Sequence, residues 1–282
     1  MLRSVLVPTD FTEEGVLITE YAEGLPALGV RRVVLTNVVE ASGMEGPVIA
    51  AAVDRVRGSL LKRAERLKEC CGLQVEVRVP TGDPAEELLA LASEVDCDGV
   101  VVGTHGKALV ERLVTGSVSG TILHDAPCPI MFARFSLLAV HSDPAALARA
   151  WGSALLLPTD FSASATRALM AVLELPSGTV RTLYLLHVLD PSLDGEKLRR
   201  AETGAEFELG DLAEMARREG IAATTAIRRG EPDREVLAEA ERRRVTGVAT
   251  GRRGRGALTE AVLGSVSATL MRQASCPVLV VP

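Results

Sequence analysis

Apolar and polar positions along the chain fall into two alternating patterns. Short runs rich in Val, Leu and Ile and of strand length stand at residues 3–10, 33–40, 74–80 and 100–103, and again in CPIMFA from Cys128. Runs of this kind read as strands buried on both faces. Between them lie segments with helical spacing, the longest at residues 47–71, where Val53, Val56, Leu60, Leu61, Ala64 and Leu67 mark one face. Thr12 stands as an N-cap for the first helix, and Asp83-Pro84-Ala85-Glu86 gives a capping acid, a proline at N1 and a glutamate at N3 for the third.

The whole pattern then repeats. RSVLVPTD at 3–10 returns as SALLLPTD at 153–160, so that Asp10 matches Asp160 and Val38 matches Val188 at an offset of 150 residues. From Gly82 and Gly230 onward the offset is 148, through Gly103/Gly251, Gly116/Gly264 and Cys128/Cys276. The net change of two residues falls between the second and third strands, where a charge-rich helix absorbs it. Each copy reads β-α-β-α-β-α-β-α-β, which predicts a parallel sheet with helices on both faces and right-handed crossovers. Two α/β domains are expected, at residues 1–135 and 153–282. The linker 136–152 matches nothing in the repeat, and a short capped helix is expected after Asp143-Pro144.

Composition narrows the class. The chain has 282 residues, near two domains of about 150 residues each, and its 47% hydrophobic content suffices for sizeable cores. No run of about 18 uncharged apolar residues predicts a membrane span, and no secretory leader is visible, so a cytoplasmic location is expected. The net charge of −6 argues against general nucleic-acid binding. Five cysteines without a CxxC fit a reducing compartment; Cys128 and Cys276 read as small buried groups at strand starts.

Candidate chemistry lies at VVVGTHGKALVERLVTGSVS, residues 100–119, and at VATGRRGRGALTEAVLGSVS, residues 248–267. In each, a strand breaks at a glycine, a second follows three residues on, and a third opens a helix with Gly-Ser-x-Ser. Such a helix start offers unpaired N–H groups, hydroxyls and the positive end of the helix dipole, all suited to phosphate oxygens. The spacing Gly-x2-Gly-x9-Gly-Ser recurs without insertion, which turn architecture alone does not require. In open α/β sheets ligands sit beyond the carboxyl ends of the strands at the switch point. That rule collects Pro8, Thr9, Asp10, Val38, Val102, Gly103, Gly106, Gly116, Ser117, Val118 and Ser119 in the first copy. In the second it collects Pro158, Thr159, Asp160, Val188, Thr250, Gly251, Arg252, Gly254, Gly264, Ser265, Val266 and Ser267. For Asp10 and Asp160 the chemistry leaves two roles open: a helix cap, or an acceptor for a ribose hydroxyl or an exocyclic amine.

With these residues in place, both halves resemble the universal stress protein family, UspA-like, in its ATP-binding branch, whose signature is G-x2-G-x9-G-(S/T). It is met by Gly103, Gly106, Gly116 and Ser117, and by Gly251, Gly254, Gly264 and Ser265. The resemblance implies a Rossmann-like sheet of order 3-2-1-4-5, related to the adenine nucleotide alpha hydrolases. It further implies ATP, ADP or AMP in both halves, with Asp10 and Asp160 at the adenine and Val38 and Val188 lining its pocket. The glycines would let the backbone approach ribose and phosphates, and Gly116–Ser119 and Gly264–Ser267 would bind phosphate. Mg²⁺ would be carried with the phosphates rather than by protein side chains. The fifth strands would pair across a twofold axis within the chain as a pseudo-dimer, a homodimer being a further arrangement in the family.

The copies are not identical. His105 and Lys107 flank the first loop, Arg252, Arg253 and Arg255 the second, and His187 replaces Asn37. Arginines hold phosphates bidentately, so the second site is expected to grip a polyphosphate more tightly. No Walker motif and no dinucleotide fingerprint is present. A regulatory nucleotide-binding module in a stress response is therefore the leading expectation; a slow ATP hydrolase and a structural pseudo-dimer with non-functional sites are the alternatives.

Overall fold

A computed structural model describes residues 2–104, 126–254 and 264–282. It divides into two compact units, residues 1–149 and 150–282.

The described elements of the first unit are β1 (Ser4–Pro8), α1 (Glu13–Ala22), β2 (Arg32–Thr36), α2 (Gly46–Cys71), β3 (Gln74–Arg78), α3 (Pro84–Glu94), β4 (Gly99–Thr104), β5 (Ile130–Arg134), α4 (Phe135–Leu138) and α5 (Pro144–Ala150). The sheet is parallel, in the order β3-β2-β1-β4-β5. The second unit contains β6 (Ala154–Pro158), α6 (Ala163–Leu173), β7 (Thr182–Leu189), α7 (Gly195–Arg218), β8 (Ala222–Arg229), α8 (Pro232–Arg243), β9 (Gly247–Gly251), α9 (Ser265–Gln273) and β10 (Val278–Val281). Its order is β8-β7-β6-β9-β10, the same 3-2-1-4-5 arrangement within the unit. Register is shared as well: Val5 pairs with Gly99 and Leu155 with Gly247, equivalent positions in the two copies.

The central strands are the apolar runs of the sequence. Val5, Leu6 and Val7 in β1 and Leu155, Leu156 and Leu157 in β6 are fully buried, as a strand covered on both faces requires. β2 leaves its ladder at Thr36, short of the expected end near residue 40, and Val39 returns only as a single bridge to Thr81. At this strand end the Asn37 side chain donates to the Thr9 carbonyl at 2.8 Å.

Caps act as the sequence indicates. Thr12 accepts from the Gly15 N–H, and Asp83 from the N–H groups of Ala85 and Glu86 at 2.9 and 3.1 Å. The helix expected after Asp143 is α5, and Trp151, which follows it, is wholly buried in the second unit, its indole N–H donating to the Pro277 carbonyl at 3.0 Å.

Candidate functional site

In the second unit β6 and β9 are neighbours from which the chain departs in opposite directions, and their carboxyl ends open a crevice. A cleft of about 340 Å³ fills it, within the range of small-molecule sites. Pro158, Thr159 and Asp160 line it from the end of β6, Leu186 and Val188 from β7, and Thr250 and Gly251 from β9. Gly264, Ser265, Val266 and Ser267 come from the start of α9, Pro232 and Val236 from α8, and Ala165 from α6; Arg253 and Gly254 complete the wall. One side is thus aliphatic and the other is a glycine-rich bend leading to a helix start. Gly264 is the N-cap of α9 and supplies no side chain, so the first N–H groups of that helix have no capping side chain.

Hydrogen bonds fix this wall. The Ser267 hydroxyl donates to the Gly251 carbonyl at 2.7 Å, which commits its proton to the protein. The Gly264 N–H donates to the Arg252 carbonyl at 3.0 Å, closing the bend. Asp160 accepts the Ser162 N–H on Oδ1 at 3.0 Å, and a Cβ added at Gly254 would stand 2.7 Å from Asp160 Oδ2, so the carboxylate lies against the loop.

All the second-copy candidates line this one cleft except Arg252. Its N–H donates to the Val281 carbonyl at 2.7 Å, continuing the β9–β10 ladder by one residue. Strand alternation then turns its side chain away from the face that Gly251 and Arg253 present. Sequence reasoning missed Leu186, Ala165, Pro232 and Val236. Leu186 had a signal, since it stands two residues before Val188 on the same strand face, and Pro232 and Val236 are one helical turn apart.

In the first unit Pro8, Thr9, Asp10, Val38, Val102 and Gly103 occupy the matching strand ends, while Gly106, Gly116, Ser117, Val118 and Ser119 lie outside the described residues, as do His105 and Lys107 and, in the second unit, Arg255. Asp10 accepts from the Thr12 N–H at 3.0 Å and from the Thr12 hydroxyl on the same oxygen. Arg63 of α2, which no sequence signal marked, donates from Nη1 to Thr9 Oγ1, the Asp10 carbonyl and the Gly15 carbonyl at 2.8, 2.7 and 3.1 Å. Burial draws the Arg63 pKa down and the Asp10 charge partly restores it.

Two glycines have a role that the sequence did not indicate. A Cβ at Gly103 would meet the Phe135 ring at 2.2 Å, and one at Gly251 would meet Ser164 Oγ at 2.5 Å. The close approach each permits is to protein.

The model of the universal stress protein family matches residues 1–134 and 153–282. The chain belongs to this family. A universal stress protein of Mycolicibacterium smegmatis is 29% identical over 224 residues, 77% of this chain and 72% of that protein. One from Methanocaldococcus jannaschii is 24% identical over 138 residues, 46% of this chain and 81% of its own length. Among solved structures, a universal stress protein from Archaeoglobus fulgidus superposes over the full chain and 96% of its own, with a TM-score of 0.77 and 25% identity. Among the described residues of this universal stress protein no helix is long and apolar enough to cross a membrane, and no group of three or more His, Cys, Asp or Glu side chains is placed to hold a metal.

Proposed function

We propose that the cleft of the second unit binds an adenine nucleotide, ATP in particular, and that the protein is a regulatory binding module of the stress-protein family. One observation carries this reading: a crevice at the sheet's switch point joins an aliphatic wall (Leu186, Val188, Val236), a carboxylate (Asp160) and a helix start with unpaired N–H groups. A purine stacks against aliphatic side chains, Asp160 accepts from a ribose hydroxyl or the exocyclic amine, and the amides at 265–267 receive phosphate oxygens. Arg253 adds a cation to that end of the cleft. Mg²⁺ fits this donor set only as a companion of the phosphates, because Asp160 is the one carboxylate among the described lining residues and the ion keeps phosphate and water ligands. The repeated motif extends the proposal to the first unit, with Gly106 and Gly116–Ser119 as its phosphate residues.

Binding is favoured over turnover by the lining itself, whose titratable side chains among the described residues are Asp160 and Arg253. Asp160 already accepts a backbone N–H, and an arginine is a poor proton acceptor. Mass spectrometry of nucleotide released from the denatured protein, calorimetry with ATP, and a phosphate-release assay test the proposal. Adenylate is expected in the first, heat in the second and little phosphate in the third. Absence of heat with every adenine nucleotide would overturn the reading.

A further inference from the structure

The turn that carries the candidate aspartate is held differently in the two units. In the second unit the residue after Asp160, Phe161, has φ of 61°, the left-handed region that a bulky aromatic residue rarely enters. Such a conformation persists only where its surroundings over-determine it. The Phe161 N–H donates to Thr159 Oγ1 at 3.0 Å, and its ring stacks on the His187 imidazole, centroids 4.5 Å apart and planes at 28°. His187 Nδ1 stands 2.8 Å from the Thr159 carbonyl oxygen. A carbonyl only accepts, so Nδ1 carries the proton. The Thr159 carbonyl belongs to the peptide that supplies the Asp160 N–H, so this bond fixes the plane from which Asp160 departs.

The first unit makes the same bond with a different group: Asn37 Nδ2 donates to the Thr9 carbonyl at 2.8 Å. What the two share is an N–H donor, which an amide supplies without any acid–base chemistry. There Phe11 lies outside the left-handed region, and Arg63 braces the turn instead, donating to the Asp10 carbonyl and lying 5.6 Å from the Phe11 ring centroid. His187 is not part of the cleft wall.

We propose that His187 is a positioning residue: by its bond to Thr159 and its stack on Phe161 it holds the 158–161 turn, and, resting on the nucleotide reading of this cleft, it sets ATP affinity there through Asp160. The test uses the full chain as His187→Leu and His187→Asn, with amide resonances of Asp160, Phe161, Gly254 and Ser265 followed before and during ATP addition. In His187→Leu the Asp160, Phe161 and Gly254 resonances should move without ligand, and ATP affinity read at Gly254 and Ser265 should fall about tenfold, the equivalent of one ordinary hydrogen bond; His187→Asn should stay within about threefold of the parent. Unmoved resonances in His187→Leu, or equal damage from both substitutions, would overturn the proposal. If the unliganded spectra behave as expected while ATP shifts nothing in the parent protein, the positioning role stands and the nucleotide reading fails.

Discussion

Glu239 on α8 is a carboxylate only 1% exposed, and three arginines surround it: Arg228 and Arg243 at 2.9 Å, and Arg242 one helical turn away. Burial pushes its pKa up, but the bonds and charges of Arg243, Arg228 and Arg242 outweigh that and hold it below the ordinary range. A lowered carboxylate pKa stabilises the fold above the unfolded value, near pH 4.3, and that stability is lost as acid protonates the group. Glu239→Gln should therefore lower stability at neutral pH by about 2 kcal/mol, as for hydrogen bonds to a charged group, and flatten its acid dependence; urea unfolding across pH measures both. At the same scale, Gly103→Ala should cost about 1–3 kcal/mol by forcing Cβ into the Phe135 ring, and Phe135→Ala in the same chain should recover part of the loss. Gly254→Ala meets only the end of the Asp160 side chain, so its effect belongs to the cleft rather than to stability.

At the scale of elements, the caps and apolar runs carry the agreement between sequence and structure. Asp83 accepts two N–H groups at the start of α3, and Asp83→Ala should cost about 1 kcal/mol in thermal or urea unfolding. Helix α2 runs from Gly46 to Cys71 against the expected 47–71, and Gly72 takes the left-handed position after it. Strand ends were less legible. Residues 37–40 continue the β2 run as Asn-Val-Val-Glu, and no local pattern announces that the Asn37 amide donates to the Thr9 carbonyl 28 residues away. Arg252 is outside the cleft lining, and its N–H carries the β9–β10 ladder one residue further, to the Val281 carbonyl.

At the scale of the molecule, a ligand that binds only the folded state adds stability by mass action. ATP at about a hundred times its dissociation constant should add about 2.7 kcal/mol, seen as a rise in the melting temperature that Gly254→Ala diminishes. By itself the sequence determined the duplicated α/β plan, the order of strands and helices, their caps and the glycine-serine bends. These are written in neighbouring residues, because strand and helix periods and capping bonds span only a few positions. The tertiary structure alone decided that Arg63 reaches the carbonyl of Asp10, that Phe135 rests on Gly103, and that Arg253 rather than Arg252 faces the cleft. Each depends on the register in which distant segments meet. A shift of one residue in a strand turns every side chain to the opposite face, and that choice is made by the packed sheet as a whole.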